Sequence, residues 1–354
     1  LCNAKSTCDI SFVSVDDVLM SWLPYSHIYA RTVDHYLTSI GGLTVVLAEC
    51  VDTLMDNIRR IQPTWLTAVP RVYEKVWSAV ATLDQESRAS ALHTIFGSRV
   101  KQLTSGGAPL PRYIAEGFFE AGIPLLEGYG LTESSPVISF NSIENCRLGS
   151  VGQALSDVEV KISEAGEILT KGPHVMTGYW KNPDATFEAV IDGWLHTGDV
   201  GRLDADGYLF ITDRMKDLFV TSAGKNIAPA ELERILGRDE YIDQAVVYGD
   251  GRQFVSALIV PSFVKLQALA DENGWTIESG DDFISTPEAL TFLEQRVEAV
   301  MQEVSQPERV KRFLALARPF QVEDEELTAT LKVRRRHIIS RYEEHLAALY
   351  EKCE

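Results

Sequence analysis

The chain has 354 residues, 45% hydrophobic and 24% charged, which excludes a largely disordered polymer and at this length favours two domains over one continuous core. Its 33 basic against 51 acidic side chains leave a net charge of -18, which repels nucleic acid and excludes a general phosphate-backbone binder. Any anionic substrate must be held by local donors.

Cys2, Cys8, Cys50, Cys146 and Cys353 are scattered, without a CxxC pair or a histidine at zinc-like spacing, which fits a reducing cytoplasm. No apolar stretch approaches the ~20 residues of a membrane span, so membrane contact is expected to be peripheral at most. The chain opens Leu1-Cys2-Asn3, with no initiator methionine and no evident helix or strand start, and is expected to be an amino-terminally truncated piece.

Between residues 43 and 136, short β-branched runs alternate with amphipathic stretches, the pattern of βα units in a mostly parallel sheet. Strands are expected at 43–47, 64–69, 100–104 and 123–126, and helices at 52–61, 71–83 and 112–121, with Asp52 and Pro111 as helix starts. After Gly149 the texture becomes short strands at 157–162, 167–171 and 208–211, with turns at Asp192-Gly193 and Asp206-Gly207, a small β subdomain. Near Asp213 a third texture begins: a helix at 229–236, strands at 244–248 and 255–260, then long helical patterns, a separate α+β domain.

Several segments carry chemistry. Leu126 to Pro136 reads LEGYGLTESSP, a compact loop of glycines, hydroxyls and one acid after a predicted strand, where α/β folds place ligands. Thr104-Ser105-Gly106-Gly107-Ala108-Pro109-Leu110 leaves a strand for a helix; its small residues permit close approach of backbone to a ligand, though such a turn is as often structural. Gly193-Trp194-Leu195-His196-Thr197-Gly198-Asp199 contains a Thr-Gly-Asp that alone is merely a turn. Asp213-Arg214-Met215-Lys216-Asp217 reads equally as a charged interdomain linker. The Gly224-Lys225 pair is not a phosphate-binding P-loop, since Asn226 follows the lysine and the earlier glycine is missing. The basic run Arg334 to Arg336 reads by itself as a surface strand, and a lone histidine such as His27 is more often structural than catalytic.

Together these segments resemble the AMP-forming acyl-CoA synthetases, relatives of luciferases and peptide-synthetase adenylation domains, of which the Gly-Tyr-Gly-Leu-Thr-Glu run is a hallmark. The forms LPYSHIY at 23–29 and AVPRVYEK at 68–75 look most like long-chain fatty acyl-CoA ligases. The resemblance implies an α/β fold: part of a large adenylate-forming domain with parallel sheets, helices and a small β subdomain over 1–212, then a smaller mobile α+β domain over 213–354.

It also implies roles. Tyr129 lies against adenine, with Gly130 in the same run; Thr132 contacts phosphate; Glu133 helps hold Mg2+. Gly106, Gly107 and Ala108 border adenine and the acyl tunnel. Asp199 accepts the ribose hydroxyls, a bidentate task suited to a carboxylate, and Arg214 reaches ribose or phosphate. Asp213 is the hinge, Gly224 and Lys225 line the thioester-forming CoA site, and His27 sits near the carboxylate end of the acyl pocket. Lys332 is the catalytic lysine, an ammonium bridging carboxylate and α-phosphate as negative charge builds.

The implied reaction joins a fatty acid to CoA at the expense of ATP, with Mg2+. Transfer of the acyl group to a carrier-protein thiol is the alternative acceptor chemistry. A non-catalytic remnant is the alternative of another class, because the family's Ser/Thr/Gly-rich loop that grips the β- and γ-phosphates is not found in these residues. The stretch 84–99 is also shorter than the helical insert of many long-chain ligases.

Overall fold

The computed structural model describes residues 1–222, 224–280, 282–328 and 333–351. The chain divides into two compact units, Leu1–Ile211 and Thr212–Glu354.

The first unit is built on a seven-stranded sheet: β1 (Val18–Ser21), β2 (Thr44–Leu47), β3 (Trp65–Ala68), β4 (Gln102–Ser105), β5 (Leu125–Gly130), β6 (Val137–Phe140) and β7 (Gln153–Ala154), in the order β2-β1-β3-β4-β5-β6-β7. The first five run parallel, and β6 and β7 are antiparallel additions. Every residue of β3 and β4 is buried, as expected of parallel strands covered on both faces.

Helices Leu54–Ile61, Pro70–Val80, Gln85–Phe96 and Arg112–Glu120 supply part of the cover. The first buries only Leu54 and Ile58, four residues apart, and stops at Gln62 in a left-handed conformation (φ 49°) just before Pro63. Tyr73, Phe96 and Phe118 meet edge-to-face in the core, with centroids 5.9 and 5.7 Å apart.

Strands fall at all four expected places in this region, with one consequential shift. The strand expected at 123–126 runs instead from Leu125 through Gly130, so Gly128-Tyr129-Gly130 is strand rather than compact loop. Pairing with β6 (Gly128 with Phe140, Tyr129 with Ser139) carries the ladder past the predicted end. The helix expected to start at Asp52 begins at Leu54, whereas Pro111 is the N-cap of Arg112–Glu120. The opening residues do form elements: a helix Cys2–Ser11, β1, and a continuous helical stretch of Ile28–Ala30, π-wound Arg31–Leu37 and Thr38–Gly41.

This unit also holds a second sheet of β8 (Glu159–Ile162), β9 (Glu167–Lys171), β10 (Val190–Ile191), β11 (Trp194–Leu203) and the start of β12 (Leu209–Arg214), which runs on past Ile211; the order is β10-β11-β9-β8 with β12 on β11.

In the second unit, β13 (Phe219–Val220) and β14 (Asn226–Ile227) form a hairpin, and β17 (Ser279–Gly280) pairs with β18 (Phe283–Ile284). The central sheet is β15 (Ile242–Tyr248), β16 (Val255–Pro261) and β19 (Val310–Ala315), antiparallel then parallel. Helices Pro229–Leu236 and Pro287–Met301 place Leu232, Leu236, Val297 and Met301 against Ala257 and Ile259. Ile338, Tyr342 and Leu346 pack with Val246, Leu258 and Val260. Helix 229–236 forms where expected, but the long helical pattern expected after residue 260 is interrupted by β19.

Candidate active site

Two of the sequence segments meet in the first unit. Tyr129 follows Gly128 on β5, and Asp199 lies on β11. The Tyr129 hydroxyl donates to Asp199 Oδ2 at 2.7 Å, both side chains being buried. Gly130 cannot be replaced without rearrangement: a Cβ there would stand 1.8 Å from the Pro136 carbonyl oxygen, because the chain folds back so that Leu131 N–H donates to Pro136 O at 3.1 Å.

Asp199 owes its place to an irregularity in β11, whose pairing with β9 slips between His196 and Val200. Gly198 takes φ +71° within that slip. Glu167 holds the turn from β9, accepting from Gly198 N–H at 2.9 Å through one oxygen and pairing with His196 Nδ1 at 2.8 Å through the other. The Thr197 hydroxyl donates to Ile168 O at 2.7 Å and accepts from Asp199 N–H at 3.1 Å. Sequence reasoning did not assign Glu167; its signal lies in the β9–β11 register, which only the fold reveals.

Thr132 is exposed in the single turn Thr132–Ser134, and Glu133 beside it is half-buried. Glu133 Oε1 accepts from the Tyr179 hydroxyl at 2.8 Å, and its backbone carbonyl accepts from Met176 N–H at 2.8 Å. Burial, then the Glu133 carboxylate, push the Tyr179 hydroxyl up to about 12. Tyr179 is a second residue the sequence did not single out.

The 104–110 segment leaves β4, the parallel neighbour of β5, with Ser105 opposite Glu127. Gly106 is buried, Gly107 is exposed at φ +82° with open space around a notional Cβ, and Ala108 is half-buried. Beneath them Glu127 is 8% exposed; burial drives its carboxyl up to about 8, although it accepts the N–H of Leu110. Burial and the neighbouring Glu127 raise the Cys146 thiol to about 11. His27 is exposed and caps its own helical turn, Nδ1 accepting from Tyr29 N–H at 3.3 Å.

In the second unit, Asp213 is buried, its carboxylate accepting from Arg214 N–H at 2.6 Å and Ala230 N–H at 3.2 Å. Burial raises its pKa, opposed by the Arg214 N–H and by Arg335. Arg214 is exposed. Gly224 turns the β13–β14 hairpin at φ +78°, and Lys225 Nζ lies 3.5 Å from Glu308.

Lys332 lies outside the described residues. The described residues on either side of it have definite partners. Leu327 bridges to Val333, Arg318 grips the buried Glu326 carboxylate at 2.8 and 2.7 Å, and Arg335 reaches Glu233 at 3.1 and 2.5 Å. Burial works against the charge on Glu326, but the Arg318 guanidinium and Gln321 N–H hold it below the usual range.

Among the described residues no group of three or more His, Cys, Asp or Glu could hold a metal unaided. Glu133 could therefore hold a magnesium ion only together with oxygens of a bound phosphate, the usual way this ion is bound. Among the described residues no helix is long and apolar enough to cross a membrane.

Residues 1–180 match the AMP-binding enzyme family, and residues 216–354 match the AMP-binding enzyme C-terminal domain. A long-chain-fatty-acid–CoA ligase of Mycobacterium bovis is 31% identical over 374 residues, covering 94% of this chain and 62% of that protein. Long chain acyl-CoA synthetase 1 of Arabidopsis thaliana is 30% identical, covering 95% and 59%. The chain thus spans about three-fifths of the length of these relatives. The O-succinylbenzoate CoA synthetase of Bacillus subtilis, solved with ATP and magnesium, superimposes with a TM-score of 0.70 at 26% identity, covering 95% of this chain and 64% of that one. The adenylation domain of a Mycobacterium chelonae carboxylate reductase shares the fold, with a TM-score of 0.78 at 24% identity over 95% of this chain and 54% of that one. The chain belongs to the family of AMP-binding, adenylate-forming enzymes.

Proposed function

We propose that the protein is a long-chain fatty acid–CoA ligase, activating a fatty acid with ATP to an acyl-adenylate and passing the acyl group to CoA. The observation that carries this reading is the buried Tyr129–Asp199 hydrogen bond, which joins the two segments expected to hold adenine and ribose. A carboxylate accepts at about four lone-pair positions, so donation from Tyr129 is compatible with acceptance of ribose hydroxyls. The long-chain assignment draws support from the relatives of that name.

In this reading the tyrosine face packs on adenine and the Gly106-Gly107-Ala108 turn admits the nucleotide and acyl carbon. Thr132 and Glu133 meet the phosphates, where magnesium, when bound, offsets phosphate charge. The fatty carboxylate attacks the α-phosphorus and pyrophosphate leaves; Lys332 stabilises the growing charge, with Arg214 beside the ribose and His27 near the acyl carboxylate. Rotation at Asp213 then exchanges Lys332 for the Gly224-Lys225 turn, and the CoA sulfur attacks the acyl carbon, releasing AMP. A long acyl substrate partitions into lipid, which would favour work at the cytoplasmic surface of a membrane.

The test supplies the folded protein with Mg-ATP, fatty acids of graded length, and either CoA or a carrier-protein thiol, and detects AMP and thioester by mass spectrometry. Equal AMP and acyl-CoA, formed best from long acids, is the expected result. Thioester only on the carrier, or AMP that does not depend on the acid, would refute the reading.

A further inference from the structure

A buried polar chain links the 23–29 and 104–110 segments through a residue with no role so far. Asp34 lies in the π-wound turn Arg31–Leu37 and is fully buried. Its Oδ2 accepts from the Ser21 hydroxyl at 2.8 Å, at the end of β1, and the Thr67 hydroxyl on β3 lies close enough to favour the charged form of its carboxyl. The other oxygen, Oδ1, has no hydrogen-bond partner. The Thr104 hydroxyl on β4 reaches Thr67 at 3.4 Å, and the Tyr29 hydroxyl donates to Thr104 at 3.2 Å. The Tyr29 ring then lies 3.1 Å from where a Cβ on Gly106 would stand. The chain crosses the carboxyl ends of β1, β3 and β4 and finishes on the glycine turn.

A buried carboxyl with one oxygen unpartnered costs free energy that a hydrophobic residue of similar size would not. Among the described residues no ion pair compensates Asp34; the titratable groups around it are Tyr29, Tyr73 and His35, with Tyr25 stacked on that imidazole at 5.5 Å. Burial pushes its carboxyl up to about 7, against the Ser21 and Thr67 hydroxyls. Such a group is better explained by what it holds in place than by stability. The π-wound turn points the same way, since such windings collect at functional sites.

We propose that Asp34 is a positioning residue: through Thr67 and Thr104 it sets the Tyr29 ring against Gly106 and so fixes the 104–110 turn. Its consequence for ligands rests on the reading above, that this turn borders nucleotide and acyl group. Amide hydrogen exchange of the whole chain tests it, comparing the peptide over 104–110 with those over β3 and β5. Asp34→Ala and Thr104→Val should each speed exchange in that peptide by about tenfold, with the double variant no faster than either single one. Asp34→Asn, which keeps an acceptor for Ser21, should remain within about threefold of the unaltered chain. Should Asp34→Ala not fold, Thr67→Val cuts the same chain one link further on.

Unchanged exchange at 104–110, additive effects, or an equal rise in the β3 and β5 peptides would overturn the proposal. Titration with a non-hydrolysable long-chain acyl-adenylate analogue separates this claim from the function. Loss of analogue affinity in step with loop exchange supports both. If the unaltered chain binds no analogue, the proposed function fails and the exchange pattern alone decides the role of Asp34.

Discussion

The Tyr129 hydroxyl is the only part of that side chain that Tyr129→Phe removes, and its bond to Asp199 is buried. The ring face remains for stacking, while the Asp199 carboxylate loses a donor in a place poor in water. The variant should bind AMP more weakly by ~1 kcal/mol, about fivefold, measured by calorimetric titration; unchanged affinity would mean the bond does not shape the nucleoside site.

Glu127 supplies a pH test. Its carboxyl is raised from an ordinary 4.5 to about 8 by burial, so the folded state holds a proton that the unfolded chain releases. Stability tied to this group is fully present below pH 4.5 and falls as pH rises toward 8. Asp34 loses stability over part of the same interval, up to about 7, so the difference between proteins is the readout. Urea unfolding should show Glu127→Gln gaining stability over the unaltered chain between pH 5 and pH 8; a difference independent of pH would show that Glu127 folds already ionised.

At the scale of elements, the slip in β11 is what brings the Asp199 carboxylate to the Tyr129 hydroxyl. Glu167 satisfies the Gly198 amide and fixes His196. Glu167→Ala should therefore cost ~1–2 kcal/mol of stability and weaken AMP binding, although residue 167 is not itself expected to touch nucleotide. Glu167→Gln, which keeps an acceptor for Gly198, should recover most of both losses. The variants are compared by thermal unfolding and AMP titration, and equal effects of Ala and Gln would exclude this role.

Much of this was legible in the sequence, and the misses have physical causes. β2 announces itself by its β-branched Thr44-Val45-Val46, although it is only partly buried, whereas the fully buried β3 and β4 mix apolar residues with threonine, serine and glutamine and are read from their alternation with amphipathic stretches. Helix Cys2–Ser11 does not, because its buried face is polar: Asn3, Ser6, Thr7 and Ser11 are buried. Asn3 serves as an edge partner to β6, donating to Val137 O at 2.6 Å and accepting from its N–H at 3.1 Å. β19 was hidden by Lys311 and Arg312 and by the helical pattern before it. The glycines and tyrosine of β5 signalled a ligand loop because their composition resembles one; what keeps them in strand is the antiparallel pairing with β6 across the 131–136 turn, which their own composition does not show. Glu167, Tyr179 and Asp34 act through partners far along the chain, which spacing cannot reveal.

For the whole molecule, both units bury carboxyl groups, but the second pairs its own with a guanidinium. The first has its aromatic core beneath a parallel sheet. The second adds to its apolar clusters the fully buried Glu326, held by Arg318 with Tyr342 alongside. Arg318→Leu leaves that carboxylate without its main partner and should destabilise the second unit by about 3–5 kcal/mol, with exchange accelerated in β19 while β3 and β4 stay protected. Acceleration in both units together would show that they unfold as one.

The most direct test of the central claim starts from a supplied long-chain acyl-adenylate, because thioester formation does not need a grip on the β- and γ-phosphates. The folded chain is mixed with this adenylate and CoA, and acyl-CoA and AMP are followed by mass spectrometry beside a protein-free control and an Asp199→Asn variant. The account predicts acyl-CoA and AMP appearing together, at least tenfold faster than the control and slowed by about tenfold in the variant. Formation at the uncatalysed rate, or at the same rate with and without the Asp199 carboxylate, would contradict it.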